Sequence, residues 1–244
     1  MIIVFDIGNT NIHLGYYKDN KLLRTEIYKT EIEIGKDLLK KILYKNEIEG
    51  VGISSVVPQL SEKLVKHLRR EFNIKPLLID AKIKMPVRIA YKNLGADRIA
   101  NLNGAYLKYH SPILIFSFGT AITGDLVSRE GIHLGGFIAP GIESQLSLLN
   151  QRTALVRNIK LKSPQNFFGR STSECVSSGI LNGIKFLVRG FIQEAKNTYR
   201  DGLKVIATGG WAKRMMRLIP ELEIYDDEIT LYGIFNLYKY NLNG

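Results

Sequence analysis

The sequence predicts an α/β protein built of two similar lobes, each a mixed β-sheet flanked by helices. Two observations support this prediction. Strand-like and helical segments alternate along the first part of the chain, an order typical of layered α/β domains. A strand–turn–strand unit at the N-terminus also recurs near the middle of the chain. A repeat of this kind indicates that the fold itself is duplicated.

The N-terminal stretch has the pattern of a phosphate-binding turn. An apolar run over residues 2–5 leads to Asp6, and Gly8 follows among small polar residues. This predicts a buried strand, a tight turn and a second strand running back beside the first. Polar groups at such a turn can form a concave site for phosphate, and Asp6 can hold Mg²⁺, directly or through water. Gly8 either takes a positive φ or lets a ligand approach the backbone closely. The alternative is an ordinary hairpin whose Asp6 caps its own turn.

The rest of the first lobe alternates strands and helices. Apolar spacing predicts a strand over 21–28, a helix over 34–43, a strand over 51–57, a helix over 59–72 and a strand over 76–80. A further helix begins at Gly95 and runs to about Tyr109. Asp97 lies in its first turn, where the helix dipole favours a negative charge. The break that follows predicts two lobes, residues 1–110 and 111–244.

The second lobe opens with an imperfect copy of the first strand and turn. The segment 113–126 again has an apolar run, a polar residue, a glycine and small polar residues. Gly119 corresponds to Gly8, and Ser117 corresponds to Asp6. Two such turns would grip a polyphosphate from both sides, unless the similarity of the two units is accidental.

Further glycine-rich segments follow in the second lobe. A strand end over 135–141 leads into a helix over 142–150, and a strand over 204–208 ends in a Gly-Gly turn where a nucleotide could lie against bare backbone. A mainly helical stretch over 171–197 contains Gly179, Gly183 and Gly190. Each costs about 1 kcal/mol relative to alanine within a helix, so we expect close packing or a ligand there.

The amino-acid composition indicates a globular protein without a membrane span or a disulfide framework. The 244 residues are 45% hydrophobic and 23% charged, as in ordinary globular proteins. The sequence contains no apolar run of about 18 residues, so it predicts no membrane span. No signal peptide is visible. Cys175 is the only cysteine, which excludes a disulfide within one chain and fits a reducing cytoplasm.

The net charge of +11 raises the question of nucleic-acid binding. The basic residues are scattered, and no helix-turn-helix, zinc finger or RNA-binding signature is present. Nucleic-acid binding is therefore disfavoured. An anionic substrate or a lysine-rich surface of the kind found in heat-loving organisms explains the charge as well. The four histidines lack the spacing of zinc ligands.

Five motifs together resemble those of one kinase family. Neither a Walker A motif nor a G-x-G-x-x-G after a strand occurs. The motifs are Asp6-Ile-Gly-Asn-Thr-Asn11, Gly95-Ala-Asp-Arg98, Gly119-Thr-Ala-Ile-Thr123, Gly135-Gly-Phe-Ile-Ala-Pro-Gly141 and Ala207-Thr-Gly-Gly210. In this order and at this spacing they resemble type III pantothenate kinases over essentially the whole chain. The resemblance implies two ribonuclease-H-like lobes of the actin-like ATPase superfamily, with an ATP cleft between them.

The resemblance also implies roles for individual residues. Asp97 would be the base that orients the substrate hydroxyl and accepts its proton, and Arg98 would pair with the pantothenate carboxylate. Thr172 matches a threonine that the family places on pantothenate, from the same chain or from the partner subunit. The implied ATP contacts are Asp6, Ile7, Gly8, Asn9, Thr10, Asn11, Ile12, His13 and Thr120, and the implied substrate contacts are Tyr91, Gly95, Ala96, Asp97, Arg98 and Thr172.

Two departures from the family pattern affect these roles. The family usually has an aspartate that binds a monovalent cation where this chain has Ser117, so a requirement for K⁺ or NH₄⁺ is in question. Asp125 is near in sequence but is expected on the next strand. The segment from Tyr91 to Gly95 is also short and lacks the usual proline, which puts the substrate contact of Tyr91 in question.

We therefore predict an ATP- and Mg²⁺-dependent, cytoplasmic, homodimeric enzyme. It would phosphorylate pantothenate to 4′-phosphopantothenate, the first step of coenzyme A biosynthesis. Two alternatives remain open at this stage. One is an accessory transcription regulator related to the family, and the other is a superfamily kinase that acts on another small alcohol.

Overall fold

A computed structural model describes residues 1–31, 35–43, 47–153, 156, 159–163, 166–199 and 202–242. The chain divides into two compact units. Unit 1 comprises Met1–His110, Gly131–His133 and Glu228–Gly244, and unit 2 comprises Ser111–Glu130 and Leu134–Asp227. The sequence-based division at residue 110 differs from these units mainly in the C-terminal helix, which packs within unit 1.

Strands and helices alternate through the described residues. In chain order they are β1 (Ile2–Ile7), β2 (Asn11–Lys18), β3 (Lys21–Lys29), α1 (Lys36–Leu43), β4 (Gly50–Ser55), α2 (Pro58–Phe72), β5 (Leu77–Leu78), α3 (Ala96–Tyr109), β6 (Ile113–Phe118), β7 (Ala121–Val127), β8 (His133–Pro140), α4 (Ile142–Arg152), α5 (Thr172–Thr198), β9 (Lys204–Thr208), α6 (Ala212–Met216), β10 (Ile224–Tyr225) and α7 (Ile229–Leu242).

The sheet of unit 1 has the strand order β3-β2-β1-β4-β5. Strands β1, β2 and β3 form an antiparallel meander, and β4 lies parallel to β1 on its other side. One face of the sheet, which includes Phe5 and Leu14, packs on buried leucines of α1 and α2. Alternate residues of a strand point to opposite faces, so Val4, Asp6 and Tyr17 belong to the other face.

Helices α3 and α7 cover that second face. The rings of Tyr17 and Phe235 stack with centroids 4.1 Å apart. Gly104 of α3 lies so close to α7 that an added Cβ would be 2.5 Å from the Ile229 carbonyl oxygen and 3.0 Å from the Gly233 Cα. This close approach needs glycine on both helices, because a Cβ on Gly233 would overlap the Ala100 carbonyl.

Unit 2 repeats the topology of unit 1. Its sheet has the order β10-β9-β6-β7-β8, in which β6 pairs antiparallel with β7 and parallel with β9. Strands β6, β7, β8, β9 and β10 therefore correspond, in that order, to β1, β2, β3, β4 and β5. This confirms the α/β fold of two mixed sheets flanked by helices that the sequence repeat predicts.

Most predicted elements are present, and the main differences are as follows. β5 covers only two residues of the predicted strand over 76–80. Ile34, the predicted start of the first helix, lies outside the described residues, and α1 is described from Lys36. No helix was predicted at the C-terminus, where α7 runs from Ile229 to Leu242.

Helix α5 is the only described helix that is long and apolar enough to cross a membrane by length and composition. Its buried residues, among them Leu181, Ile184 and Val188, belong to the core of unit 2 together with Phe116 and Phe118 of β6. Packing of this kind is typical of the core helix of a globular protein.

Candidate active site

The turn between β1 and β2 carries the first group of predicted ATP contacts. The Gly8 N–H donates to the Asn11 carbonyl over 3.0 Å, and Asn9 and Thr10 are exposed at the tip. Gly8 does not adopt a positive φ. A Cβ there would lie 3.1 Å from the Asn11 carbonyl oxygen, so glycine is favoured by the tightness of the turn.

Thr30 stabilises this turn from the end of β3. Its hydroxyl donates to the Gly8 carbonyl over 2.7 Å, and its N–H donates to the Thr10 carbonyl over 3.0 Å. No motif in the sequence marks Thr30, because its contact with the turn depends on the pairing of β2 with β3.

Asp6 lies one position before the end of β1, between two side chains on the same face of the sheet. His13 of β2 and Ser54 of β4 are its neighbours in register. The buried Ser54 hydroxyl donates to Asp6 Oδ1 over 3.2 Å. Burial lowers the pKa of His13, so its imidazole is held neutral at physiological pH.

The pKa of Asp6 is raised from 3.8 to about 7. Burial is the main cause, the negative charge of Asp97 adds to it, and the Ser54 hydrogen bond opposes it. Two carboxylates are therefore electrostatic neighbours within unit 1. A divalent cation would relieve both causes of the shift, and carboxylate oxygen is a preferred Mg²⁺ ligand. The donor chemistry at Asp6 thus fits Mg²⁺.

Asp97 and Arg98 occupy the first turn of α3. The helix begins at Ala96 with Gly95 as its N-cap. A Cβ on Gly95 would lie 2.7 Å from Asp97 Oδ1, so glycine leaves space for the carboxylate. The helix N-terminus favours the negative charge of Asp97.

Arg98 is a buried cation, only 4% exposed. Its Nη1 donates to the Tyr91 hydroxyl over 2.7 Å, while Tyr91 itself is 43% exposed. The structure therefore brings Tyr91 to Arg98 despite the short segment between Tyr91 and Gly95. These two residues, with Asp97 and Asp6, form the candidate site of unit 1.

The corresponding turn of unit 2 contains Thr120. The Gly119 N–H donates to the Ala121 carbonyl over 3.0 Å. The Gly141 N–H and the Ser144 hydroxyl both donate to the Thr120 carbonyl, over 2.9 Å and 2.7 Å. A Cβ on Gly141 would overlap the Gly119 carbonyl. The glycine-rich motif at 135–141 therefore holds the second turn in place.

Ser117 occupies the position on β6 that Asp6 occupies on β1. Its register neighbours are Thr123 on β7 and Thr208 on β9, so the three side chains here are neutral hydroxyls. Asp125 is buried on β7 opposite Ile115, two cross-strand pairs away from Ser117 and Thr123. As expected, it lies on the next strand.

Thr172 is the exposed first residue of α5. Ser171 caps the helix by accepting from the Glu174 N–H over 3.3 Å, and Glu174 accepts from the Arg170 N–H over 2.7 Å. These two hydrogen bonds hold the backbone on the N-terminal side of Thr172. Thr172, Thr120 and Ser117 belong to unit 2.

Sequence reasoning missed two residues of the unit 1 site besides Thr30. No role was predicted for Ser54, and His133 was considered only as one of the four histidines, which lack the spacing of zinc ligands. Ser54 contacts Asp6, and the ring of His133 lies 6.0 Å from that of Tyr91. The end of the predicted strand over 51–57 was a usable signal for Ser54, because parallel strands place their C-terminal ends at one edge of a sheet.

Solved structures define the class of protein to which this fold belongs. A ROK hexokinase from Thermus thermophilus has a TM-score of 0.54 at 14% identity and covers 99% of both chains. A ROK family glucokinase from Streptomyces griseus, in complex with glucose and AMPPNP, has a TM-score of 0.51 at 12% identity and covers 100% of this chain and 99% of that one. The chain has the fold of the actin-like ATPases and sugar kinases.

Sequence comparison identifies the family within this class. The type III pantothenate kinase model matches residues 2–194. A type III pantothenate kinase from Sulfurihydrogenibium sp. (strain YO3AOP1) is 35% identical over 252 residues, which cover 98% of this chain and 100% of the relative. The chain belongs to the type III pantothenate kinase family, as its motifs predicted.

A structure from Campylobacter jejuni has the same fold. It is described as a conserved protein of the Baf family of transcriptional activators, and it has a TM-score of 0.65 at 23% identity over 99% of this chain and 100% of that one. At this identity the likeness shows the fold alone.

Proposed function

We propose that the protein phosphorylates pantothenate to 4′-phosphopantothenate with ATP, with Asp97 as the catalytic base. One observation carries the assignment of the base. Asp97 and the buried cation Arg98 are adjacent at the start of α3, and the charge of Asp97 reaches Asp6 at the phosphate turn. An acid, a cation for the substrate carboxylate and a phosphate-binding turn are thus combined in unit 1.

Asp97 aligns and deprotonates the substrate hydroxyl in this proposal. A carboxylate within about 3 Å of the hydroxyl can orient it for in-line attack on the γ-phosphorus and accept its proton. The carboxylate keeps its place because Gly95 lacks a side chain. The positive end of the helix dipole favours its ionised form before transfer.

Arg98 recognises the carboxylate of pantothenate. A guanidinium can donate two parallel hydrogen bonds to a carboxylate, and burial strengthens such a pair. The Tyr91 hydroxyl accepts a hydrogen bond from Nη1 over 2.7 Å and helps to orient the guanidinium. The substrate is thereby positioned with its hydroxyl directed to Asp97.

Asp6 would hold Mg²⁺, directly or through water, and the bound ion supplies charge neutralisation on the ATP phosphates. The exposed Asn9, Thr10 and Thr120 contact the phosphates through side chains and turn N–H groups. Asp6 to His13 provide the ATP contacts in unit 1, and Thr120 provides one in unit 2.

We also propose that the enzyme needs no monovalent cation. The residues at the corresponding position are Ser117, Thr123 and Thr208, which offer neutral hydroxyls and no carboxylate. A neutral oxygen attracts K⁺ or NH₄⁺ much more weakly than a charged one. These residues therefore do not fit a dedicated cation site.

The active form is proposed to be a homodimer that uses one face of α5. Gly179, Gly183, Phe186 and Gly190 recur at helical spacing on this face. A Cβ added to any of the three glycines would meet nothing within 4 Å, and Phe186 is 54% exposed. The glycines are therefore not needed for packing within the described chain, whereas a second helix could approach them closely.

We place the enzyme in the cytoplasm. Its single cysteine, Cys175, is free and exposed, which suits a reducing compartment. ATP and Mg²⁺ are supplied there.

The direct test is a coupled assay with ATP, Mg²⁺ and pantothenate. We expect phosphopantothenate to form, and absence of product with or without K⁺ or NH₄⁺ would refute the proposed function. A panel of other small alcohols distinguishes a kinase of different specificity. A gel-shift experiment at about 150 mM salt tests for a nucleic-acid-binding regulator, because non-specific phosphate contacts weaken steeply with salt.

A further inference from the structure

The segment that carries Tyr91, residues 84–93, lacks regular secondary structure. Hydrogen bonds to residues elsewhere in the chain hold it in place. We call it the Tyr91 segment. The Lys84 N–H donates to Asn241 Oδ1 over 3.0 Å, and Asn241 Nδ2 donates back to the Lys84 carbonyl over 2.8 Å. The Val87 N–H donates to Asn103 Oδ1 over 3.0 Å. These contacts hold the first half of the segment.

The second half is held by Gly131–His133, the short stretch between β7 and β8 that belongs to unit 1. The Arg88 N–H donates to the Gly131 carbonyl over 2.8 Å, and the Arg88 carbonyl accepts from the His133 N–H over 2.9 Å. The Ala90 N–H then donates to His133 Nδ1 over 3.4 Å. The His133 side chain is 2% exposed.

His133 is the last anchor before Tyr91. Its ring lies beside the Tyr91 ring, with centroids 6.0 Å apart and an interplanar angle of 44°. Lys92 and Asn93, which follow, are exposed, and no proline restricts the backbone between Tyr91 and Gly95. The Tyr91 hydroxyl accepts from Arg98 Nη1, so a movement of Ala90 and Tyr91 would also change the hydrogen bonding of the Arg98 guanidinium.

We propose that His133 is a positioning residue for pantothenate binding. This inference rests on the proposed function. His133 Nδ1 accepts the Ala90 N–H, which requires a neutral ring with its proton on Nε2. The ring also limits the movement of Tyr91. Through Tyr91, His133 sets the orientation in which Arg98 meets the substrate carboxylate.

Two substitutions distinguish the contribution of the His133 hydrogen bond from that of its aromatic ring. His133→Phe keeps an aromatic ring but removes the acceptor, and His133→Asn keeps an acceptor at the position of Nδ1. We expect His133→Phe to raise the KM for pantothenate about fivefold, the order expected for one lost hydrogen bond. Its kcat and its KM for ATP should stay within about twofold of the parent values. His133→Asn should recover most of the affinity for pantothenate.

His133→Gln serves as the matched control, because its amide extends toward the position of Nε2 and leaves Ala90 without its acceptor. It should behave like His133→Phe. The proposal is wrong if the Phe variant binds pantothenate as the parent does, if the KM values for both substrates rise together, or if the Asn and Gln variants are equally impaired. Should His133→Phe fail to fold, the comparison of Asn with Gln decides.

Hydrogen exchange gives a readout independent of activity. Amides of the peptide 86–92 should exchange about fivefold faster in His133→Gln than in His133→Asn. Equal exchange in the two variants would refute the anchoring. If the parent enzyme does not phosphorylate pantothenate while the exchange rates differ as expected, the proposed function fails and the role of His133 in holding Tyr91 stands.

Discussion

Asp6, at the end of β1, and Asp97, in the first turn of α3, are electrostatic neighbours. Burial of Asp6, followed by the charge of Asp97, raises the pKa of the Asp6 carboxyl to about 7. The protein thus holds two acids together before any ligand binds. Such a site is suited to a divalent cation and is less stable without one.

Asp6→Asn should stabilise the metal-free protein at high pH. The pKa of Asp6 is about 7 in the folded state against 3.8 ordinarily, so its ionisation destabilises the fold as pH rises through this interval. We expect a gain of about 2 kcal/mol at pH 8, roughly half of the full shift because solvent screens a part-buried carboxylate. The gain should shrink between pH 7 and pH 4 and vanish below.

Thermal and urea unfolding in EDTA at pH 8, 6 and 4 would measure this change. Asp19→Asn is the control, since Asp19 is exposed in a turn with φ near 50°, which asparagine tolerates. A gain that does not depend on pH would contradict the shifted pKa of Asp6.

Asp97→Asn should lower kcat by about 100-fold or more, because the amide cannot accept the hydroxyl proton. The melting temperature should change little. Asp37→Asn is a matched control, as Asp37 also lies in the first turn of a helix, α1. If the two variants lose the same small fraction of activity, Asp97 contributes only through its favourable interaction with the helix dipole and is not the base.

Gly104→Ala should destabilise unit 1 by about 3 kcal/mol. The new methyl group would lie 2.5 Å from the Ile229 carbonyl oxygen, so α3 and α7 would have to separate. Urea unfolding measures the loss. Gly35→Ala is the control, since a Cβ there meets nothing within 4 Å, and an equal loss in both variants would exclude the contact between α3 and α7 as the cause.

Activity should differ by less than about twofold between buffers with and without K⁺, because no carboxylate stands at Ser117. Ser117→Asp should create a dependence on K⁺ by adding a charged oxygen beside Thr123 and Thr208. Initial rates in Tris buffer, with KCl titrated against choline chloride, test both statements. Strong activation of the parent enzyme by K⁺ would show that other groups hold the cation.

If the proposed homodimer forms through α5, Phe186→Glu should convert it into a monomer, because the substitution places a charge on the proposed interface. Light scattering coupled to gel filtration gives the mass directly. Leu23→Glu is the control, as Leu23 is 56% exposed on β3 of unit 1. A parent protein that is already monomeric, or a Phe186→Glu variant that stays dimeric, would refute this interface.

The sequence predicts the sheets and the motif residues better than it predicts their supports. Strands such as β1 and β6 are buried apolar runs that end at polar turns, so their pattern is clear. Helix α7 was not predicted because it is buried on several sides, with Leu231, Ile234, Phe235 and Leu237 all inside. A helix of this kind has no single apolar face for periodicity to detect.

Support residues are hidden from sequence reasoning for a different reason. Ser54 reaches Asp6 through the register of β1 with β4, and His133 reaches Ala90 from a segment far along the chain. Such contacts are set by tertiary structure, and neither residue lies in a motif. Asp97 and Arg98 are adjacent in a motif, so they could be predicted as site residues without the fold.

The placement of α7 also has a consequence for how the protein is made. Synthesis runs from the N-terminus, so all of residues 134–227 leave the ribosome before Ile229 does. Until then the face of the first sheet that includes Val4 and Tyr17 is packed by α3 but not by α7. Unit 1, whose first strand lies at residues 2–7, is therefore completed only after unit 2 has been translated.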